Sequence, residues 1–153
     1  PALGERLKAA YEQLKAHPLV DPDRIGAMGY CLGGALSLHM GRIGVPLRGV
    51  ASFHGALTRA HVAKPGEFKP SVLICHGEAD GMVPADDQAA FRKEMEELSV
   101  DYQFISYPGA KHGFANPEAT DKGKKYNLPL AYDEKTDRQS WEDMKAFWAK
   151  VFR

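Results

Sequence analysis

The pentapeptide Gly29-Tyr30-Cys31-Leu32-Gly33 constrains this chain more than any other stretch. Residues 24–30 (RIGAMGY) are short, small and apolar and read as a buried strand, while residues 34–40 turn helical once past the glycines. A strand that passes straight into a helix needs a sharp, strained turn, and small flanking residues let the backbone close while residue 31 is lifted clear. This is the G-x-S-x-G elbow with cysteine in place of serine, an arrangement suited to a nucleophile. A helix starting near Leu32 favours a thiolate at Cys31. The backbone N–H of Leu32 faces a developing oxyanion, one of the donors that acyl transfer needs.

The rest of the chain supplies a sheet for that elbow. Leu3, Leu7, Tyr11 and Leu14 form the stripe of an opening helix over residues 3–16, closed by Pro18 and Pro22. Further strands are expected at about 48–53, 71–75 and 102–107, and a helix carries Phe91, Met95 and Leu98. A last helix, from about 136 to 152, presents Trp141, Met144, Trp148 and Val151 as an apolar stripe, with both tryptophans expected in the core. Residues 113–135 are polar, lack periodicity and read as a long loop. The order predicts one α/β domain over residues 1–153, with about four parallel strands and helices as a three-layer sandwich.

Two residues after later strands complete a pattern. Asp80 follows the third strand in His76-Gly77-Glu78-Ala79-Asp80, and His112 follows the fourth in Pro108-Gly109-Ala110-Lys111-His112-Gly113-Phe114. Loops after parallel strands emerge at one sheet edge, so the three meet there, in the chain order nucleophile, acid, histidine. His112 would take the proton from Cys31 and return it to a leaving group, and Asp80 would fix its tautomer. Singly, Asp80 reads as a helix cap and His112 as a loop histidine; three in register outweigh those readings. Asp86 and Asp87 are rival acids better placed to cap the next helix. His54, at the end of the second strand, aims at the same edge, where Tyr30 and Phe114 are further candidates for substrate contact. His76 reads as structural.

Composition excludes several classes. Twenty basic and 20 acidic residues cancel, so no charge excess points to nucleic acid. No run approaches the roughly 20 apolar residues of a membrane span. Neither the six histidines nor Cys31 and Cys75 show a metal-site spacing, and no metal or organic cofactor is expected. Cys75 reads as a small buried residue, poorly placed to resolve an oxidised Cys31. The default compartment is the cytoplasm, and a secretion signal upstream of Pro1 would be compatible with all of this.

The run Asp21-Pro22-Asp23-Arg24-Ile25-Gly26-Ala27-Met28-Gly29-Tyr30-Cys31-Leu32-Gly33-Gly34 resembles the nucleophile region of the dienelactone hydrolase family. Residues 76–80 and 107–114 resemble that family's acid and histidine loops. The resemblance implies an α/β-hydrolase fold and hydrolysis of small esters or lactones by a Cys31-His112-Asp80 triad without a cofactor. It also implies a longer protein, with an N-terminal part that supplies earlier strands, a second oxyanion donor and a glutamate beside the nucleophile. Asn116 stands where dienelactone-cleaving members carry an arginine for the substrate carboxylate, and Gly113 also departs from the pattern. A generic small ester, lactone or thioester is therefore the expected substrate.

Two alternatives accompany this reading: a thioesterase or acyltransferase using the same triad, and a non-catalytic remnant of the fold. An incomplete sheet would leave its first strand as an exposed edge and part of one face bare, so marginal stability and self-association are expected.

Overall fold

The computed structural model describes residues 2–153. Five helices and four strands follow in the order α1 (Ala2–Lys15), β1 (Gly26–Tyr30), α2 (Leu32–Arg42), β2 (Gly49–Phe53), β3 (Ser71–Gly77), α3 (Ala85–Glu97), β4 (Tyr102–Tyr107), α4 (Ala119–Tyr126) and α5 (Glu134–Val151). The strands form one parallel sheet in the order β1-β2-β3-β4, as in the α/β expectation. All four therefore end at the same edge, next to Cys31, His54, Glu78 and Pro108.

Strand alternation sorts the core into two layers. Val50, Val72 and Ile74 face α1, α2 and α3, meeting Tyr11, Leu38, Phe91 and Met95. Ala51, Phe53, Leu73 and Cys75 face the other way, against Met144 and Phe147 of α5. Gly26 and Gly49 are register partners on β1 and β2, and a Cβ on either would stand less than 3 Å from the Trp148 ring. The missing side chains make a flat seat for that indole. Trp141 does not share it: it is 49% exposed, against the expectation of a core residue, because its place on α5 turns it away from that seat, into an open surface pocket lined by Tyr30 and polar side chains of the same helix.

A buried ion pair joins the first layer. Arg42 pairs through both Nε and a terminal nitrogen with Glu94, at 3.0 and 2.8 Å, and also donates to the carbonyls of Leu57 and Thr58. It ties α2 to α3 and to the segment leaving β2.

The remaining differences are local. β3 runs two residues beyond the expected strand, to Gly77, because β4 pairs with it throughout. The expected loop at 113–135 contains α4, ended by Asn127 in the left-handed conformation. Asp86 and Asp87 make no capping hydrogen bond; Pro84 holds the N-cap position and the two carboxylates sit in the first turn of α3. β1 is an outer strand of the sheet, and its Met28 and Tyr30 are each 40% exposed. No helix of the described residues is long and apolar enough to cross a membrane.

Candidate active site

The elbow is built from its backbone. Cys31 sits between β1 and α2 with φ 52° and ψ −117°, a sparsely populated conformation for a side-chain-bearing residue. It is held by three backbone bonds: its N–H donates to Phe53 at 2.9 Å, and its carbonyl accepts from Gly34 and Ala35 at 3.1 and 3.2 Å. A Cβ at Gly29 would lie 2.2 Å from the Gly33 carbonyl carbon, so the turn closes only with glycine there. A Cβ at Gly33, by contrast, would meet open space, so the close approach concerns its backbone and not its missing side chain. The result is an exposed thiol at the mouth of a helix. Leu32 begins α2, so its N–H precedes the first intrahelical bond and has no acceptor among the described residues.

His112 bridges the thiol to a buried carboxylate. Its Nε2 is 3.1 Å from Cys31 Sγ, and its Nδ1 is 2.9 Å from Asp80 Oδ2. A carboxylate only accepts, so Nδ1 carries hydrogen and Nε2 faces sulfur as the exchangeable site. The Asp80 side chain is fully buried and its other oxygen accepts the Met82 N–H at 2.9 Å. The hydrogen bond to Asp80 raises the His112 pKa above the ordinary histidine value, burial opposes this, and the contact with Cys31 adds to the rise. Asp80 thus favours the imidazolium that a proton transfer from sulfur would create.

A cavity of about 520 Å³ opens over these groups. Tyr30, Cys31, His54 and His112 line its floor, and Met82, Ala115, Ala119, Leu128 and Leu130 are among its walls. No lysine or arginine lines it. His54 is 4% exposed, and burial, aided by His112, pushes its pKa down to about 4. Phe114 does not reach the cavity. It is fully buried between His54 and Tyr107, with ring centroids at 5.0 and 5.6 Å, because the turn after Gly113 directs it into the α5 layer. His76 is likewise buried, packed against Phe104.

Sequence reasoning missed the cavity wall formed after His112. That segment is fastened back onto the site: Leu130 pairs with His112 as an isolated bridge, and the Ala131 and Asp133 N–H groups donate to His112 and Phe114. Ala119 and Gly123 are the buried, small side of α4, and a Cβ at Gly123 would strike the Leu130 carbonyl. Small residues at i and i+4 were the one signal, and they are invisible to a search for large apolar stripes. Among the described residues, no three histidine, cysteine, aspartate or glutamate side chains converge as a metal-binding group.

A family model, the dienelactone hydrolase family, matches residues 2–152. The chain belongs to the dienelactone hydrolase family. Among relatives within reach of it is an uncharacterized Caenorhabditis elegans protein, 35% identical over 153 residues, covering 98% of this chain and 94% of that one. A Synechocystis protein named as a candidate carboxymethylenebutenolidase is 27% identical over 149 residues, covering 91% of this chain and 55% of its own length. A crystal structure of a dienelactone hydrolase-like promiscuous phosphotriesterase from metagenomic libraries superposes with a TM-score of 0.87 at 33% identity, covering 97% of this chain and 61% of the other. The chain thus spans nearly all of the nematode protein but about half of the cyanobacterial one.

Proposed function

We propose that this chain is a cysteine-dependent hydrolase of small, uncharged carboxylic esters or lactones. The observation that carries the reading is the continuous contact from Cys31 Sγ through His112 to buried Asp80, at 3.1 and 2.9 Å. Nε2 accepts the thiol proton as sulfur adds to the ester carbonyl, and Asp80 stabilises the resulting imidazolium. The Leu32 N–H receives the developing oxyanion. On collapse the C–O bond breaks, and Nε2–H protonates the departing alkoxide. Water then repeats the sequence: His112 takes its proton, oxygen bonds to the acyl carbon, and the C–S bond breaks with return of the proton to sulfur.

The absence of a cationic side chain around the cavity favours a neutral acyl group over a carboxylate-bearing lactone. The open outer strand β1 makes self-association part of the same proposal. Sedimentation at one monomer mass across a wide concentration range would remove that part.

Intact-mass analysis after incubation with p-nitrophenyl acetate tests the chemistry. The expected result is one acetyl adduct, absent in Cys31→Ala and much slower in His112→Ala. A folded parent chain that forms no adduct, or equal labelling of all three, would leave only the fold.

A further inference from the structure

The catalytic steps use the floor of the cavity and leave its walls idle. Met82, Ala115, Leu128 and Leu130 line those walls, and no lysine, arginine, aspartate or glutamate does. Two of the large side chains stand in water, Met82 51% and Leu128 48% exposed. For Met82 the exposure is built into the turn that follows Asp80. Its N–H donates to Asp80 Oδ1 at 2.9 Å, and the Val83 N–H donates to the Asp80 carbonyl at 3.2 Å. Val83 is buried, so the same turn that anchors it leaves Met82 outside.

Leu128 is held by the end of α4. Asn127 is left-handed, with φ 51°, and the Leu128 N–H returns to the Gly123 carbonyl at 2.9 Å. After a helix end of this kind, the apolar residue at that place commonly packs back on a side chain of the last turn. The two positions that would receive it are Gly123, which has no side chain, and the charged Lys122. Gly123 is small because a Cβ there would lie 2.5 Å from the Leu130 carbonyl. Leu128 therefore finds no apolar partner on its own helix and keeps its side chain for the cavity.

Exposed apolar groups from two unrelated segments thus converge on one space, with the nucleophile on its floor. An apolar ligand gains by covering them. At about 520 Å³ the cavity exceeds the needs of an acetyl group and lies in the range that holds ligands of drug size. The acyl carbon becomes bonded to Cys31 Sγ, so a chain borne by that carbon starts inside it. We propose that the cavity is an acyl-chain subsite, with Met82 and Leu128 as specificity-determining residues, and that the substrate carries a medium-length hydrocarbon chain on its acyl side. This deepens the hydrolase reading and rests on it.

The test is the series p-nitrophenyl acetate, butyrate and hexanoate, each rate divided by that of alkaline hydrolysis of the same ester. The corrected kcat/KM should rise about two- to fourfold for each added methylene, the effect of burying one CH₂. In Leu128→Asn and in Met82→Ser the hexanoate-to-acetate ratio should fall about three- to tenfold, whereas Leu128→Met should keep it. Leu19→Ser removes an 89% exposed leucine that does not line the cavity and should leave the ratio unchanged. A flat parent series, or a ratio that Leu128→Asn and Met82→Ser leave as it is, overturns the proposal. So does a chain dependence found in methyl to hexyl acetates instead, because the alcohol would then fill the cavity. Should the polar variants not fold, 13C-methyl NMR of methionine-labelled Cys31→Ala, titrated with methyl hexanoate and methyl acetate, decides the matter. A Met82 methyl resonance, assigned through Met82→Leu, that moves at a lower concentration of the hexanoate supports the proposal, and equal or no movement overturns it. Failure of the parent reading is separate: it is absence of a Cys31 adduct, whatever the NMR titration gives.

Discussion

Cys31 follows β1 and Cys75 lies within β3, with only β2 between those strands, and their surroundings have almost nothing in common. Cys31 stands on a left-handed turn, exposed, with an imidazole 3.1 Å from its sulfur. Cys75 is in mid-strand, fully buried against the α5 layer, and burial pushes its thiol up to about 12. Its neighbour is the Tyr107 hydroxyl, which donates to Asp143 at 2.7 Å and leaves the sulfur only a 3.5 Å contact. The pair teaches that position on the backbone, not residue type, separates an exposed thiol beside an imidazole from packing material. Pleating sends Cys75 into the interior, whereas the elbow takes Cys31 out of the pleat.

The sharpest way to break this contrast is to remove each sulfur in turn. Cys31→Ala should lower kcat/KM for p-nitrophenyl acetate by about 10³-fold or more, while Cys75→Ala leaves it unchanged. Comparable losses from both would erase the distinction. Next in size are the partners of Cys31: His112→Ala and Asp80→Asn should each cost about 10²–10⁴-fold, measured as the rate of acetyl-adduct formation. Asp80→Asn also has a pH signature. Because Asp80 raises the His112 pKa, that stabilisation is present below the ordinary histidine value and is lost as pH rises through the raised one. The gap in melting temperature between parent and Asp80→Asn should therefore narrow from pH 6 to pH 9.

The two imidazoles of the cavity extend the comparison with opposite sign. His54 is held neutral, with a pKa of about 4 that reflects burial first, then repulsion from His112, with Asp80 opposing. Its contribution is present above the ordinary value near 6.5 and is lost as pH falls toward 4, amounting to about 3 kcal/mol at most. His54→Phe should show a flatter decline of unfolding free energy over that window, and parallel curves would contradict the assigned neutrality. The smallest effect is packing. Cys75→Ala should cost about 1–2 kcal/mol in denaturant midpoint analysis, and iodoacetamide should modify Cys31 in the folded chain but Cys75 only after unfolding.

Most of the fold was legible because its signals are local. The valine, leucine and isoleucine of 71–75 read as a strand, and the Phe91-Met95-Leu98 spacing read as a helix; both elements are observed, with Leu98 at the helix C-cap. The Arg42–Glu94 pair was not legible. Its partners are 52 residues apart, and nothing in either neighbourhood distinguishes a buried charge from a solvated one. The fate of the two tryptophans was half legible. The spacing of α5 put both near one stripe, but only the Gly26–Gly49 seat takes an indole, and it receives Trp148.

The candidate site divides in the same way. By itself the sequence determined the elbow and the order Cys31, Asp80, His112, because parallel strands oblige the loops that follow them to share an edge. Only the tertiary structure decided how those loops close. It brought His112 between sulfur and carboxylate, turned Phe114 into the core and left His54 over the cavity without a partner. It also folded the polar segment after His112 into a wall, through a bridge at Leu130 and the small face of α4. The physical reason is that strand and helix signals arise from neighbours within a few residues. Cavities and orphaned polar groups arise from contacts between segments that the chain order does not relate.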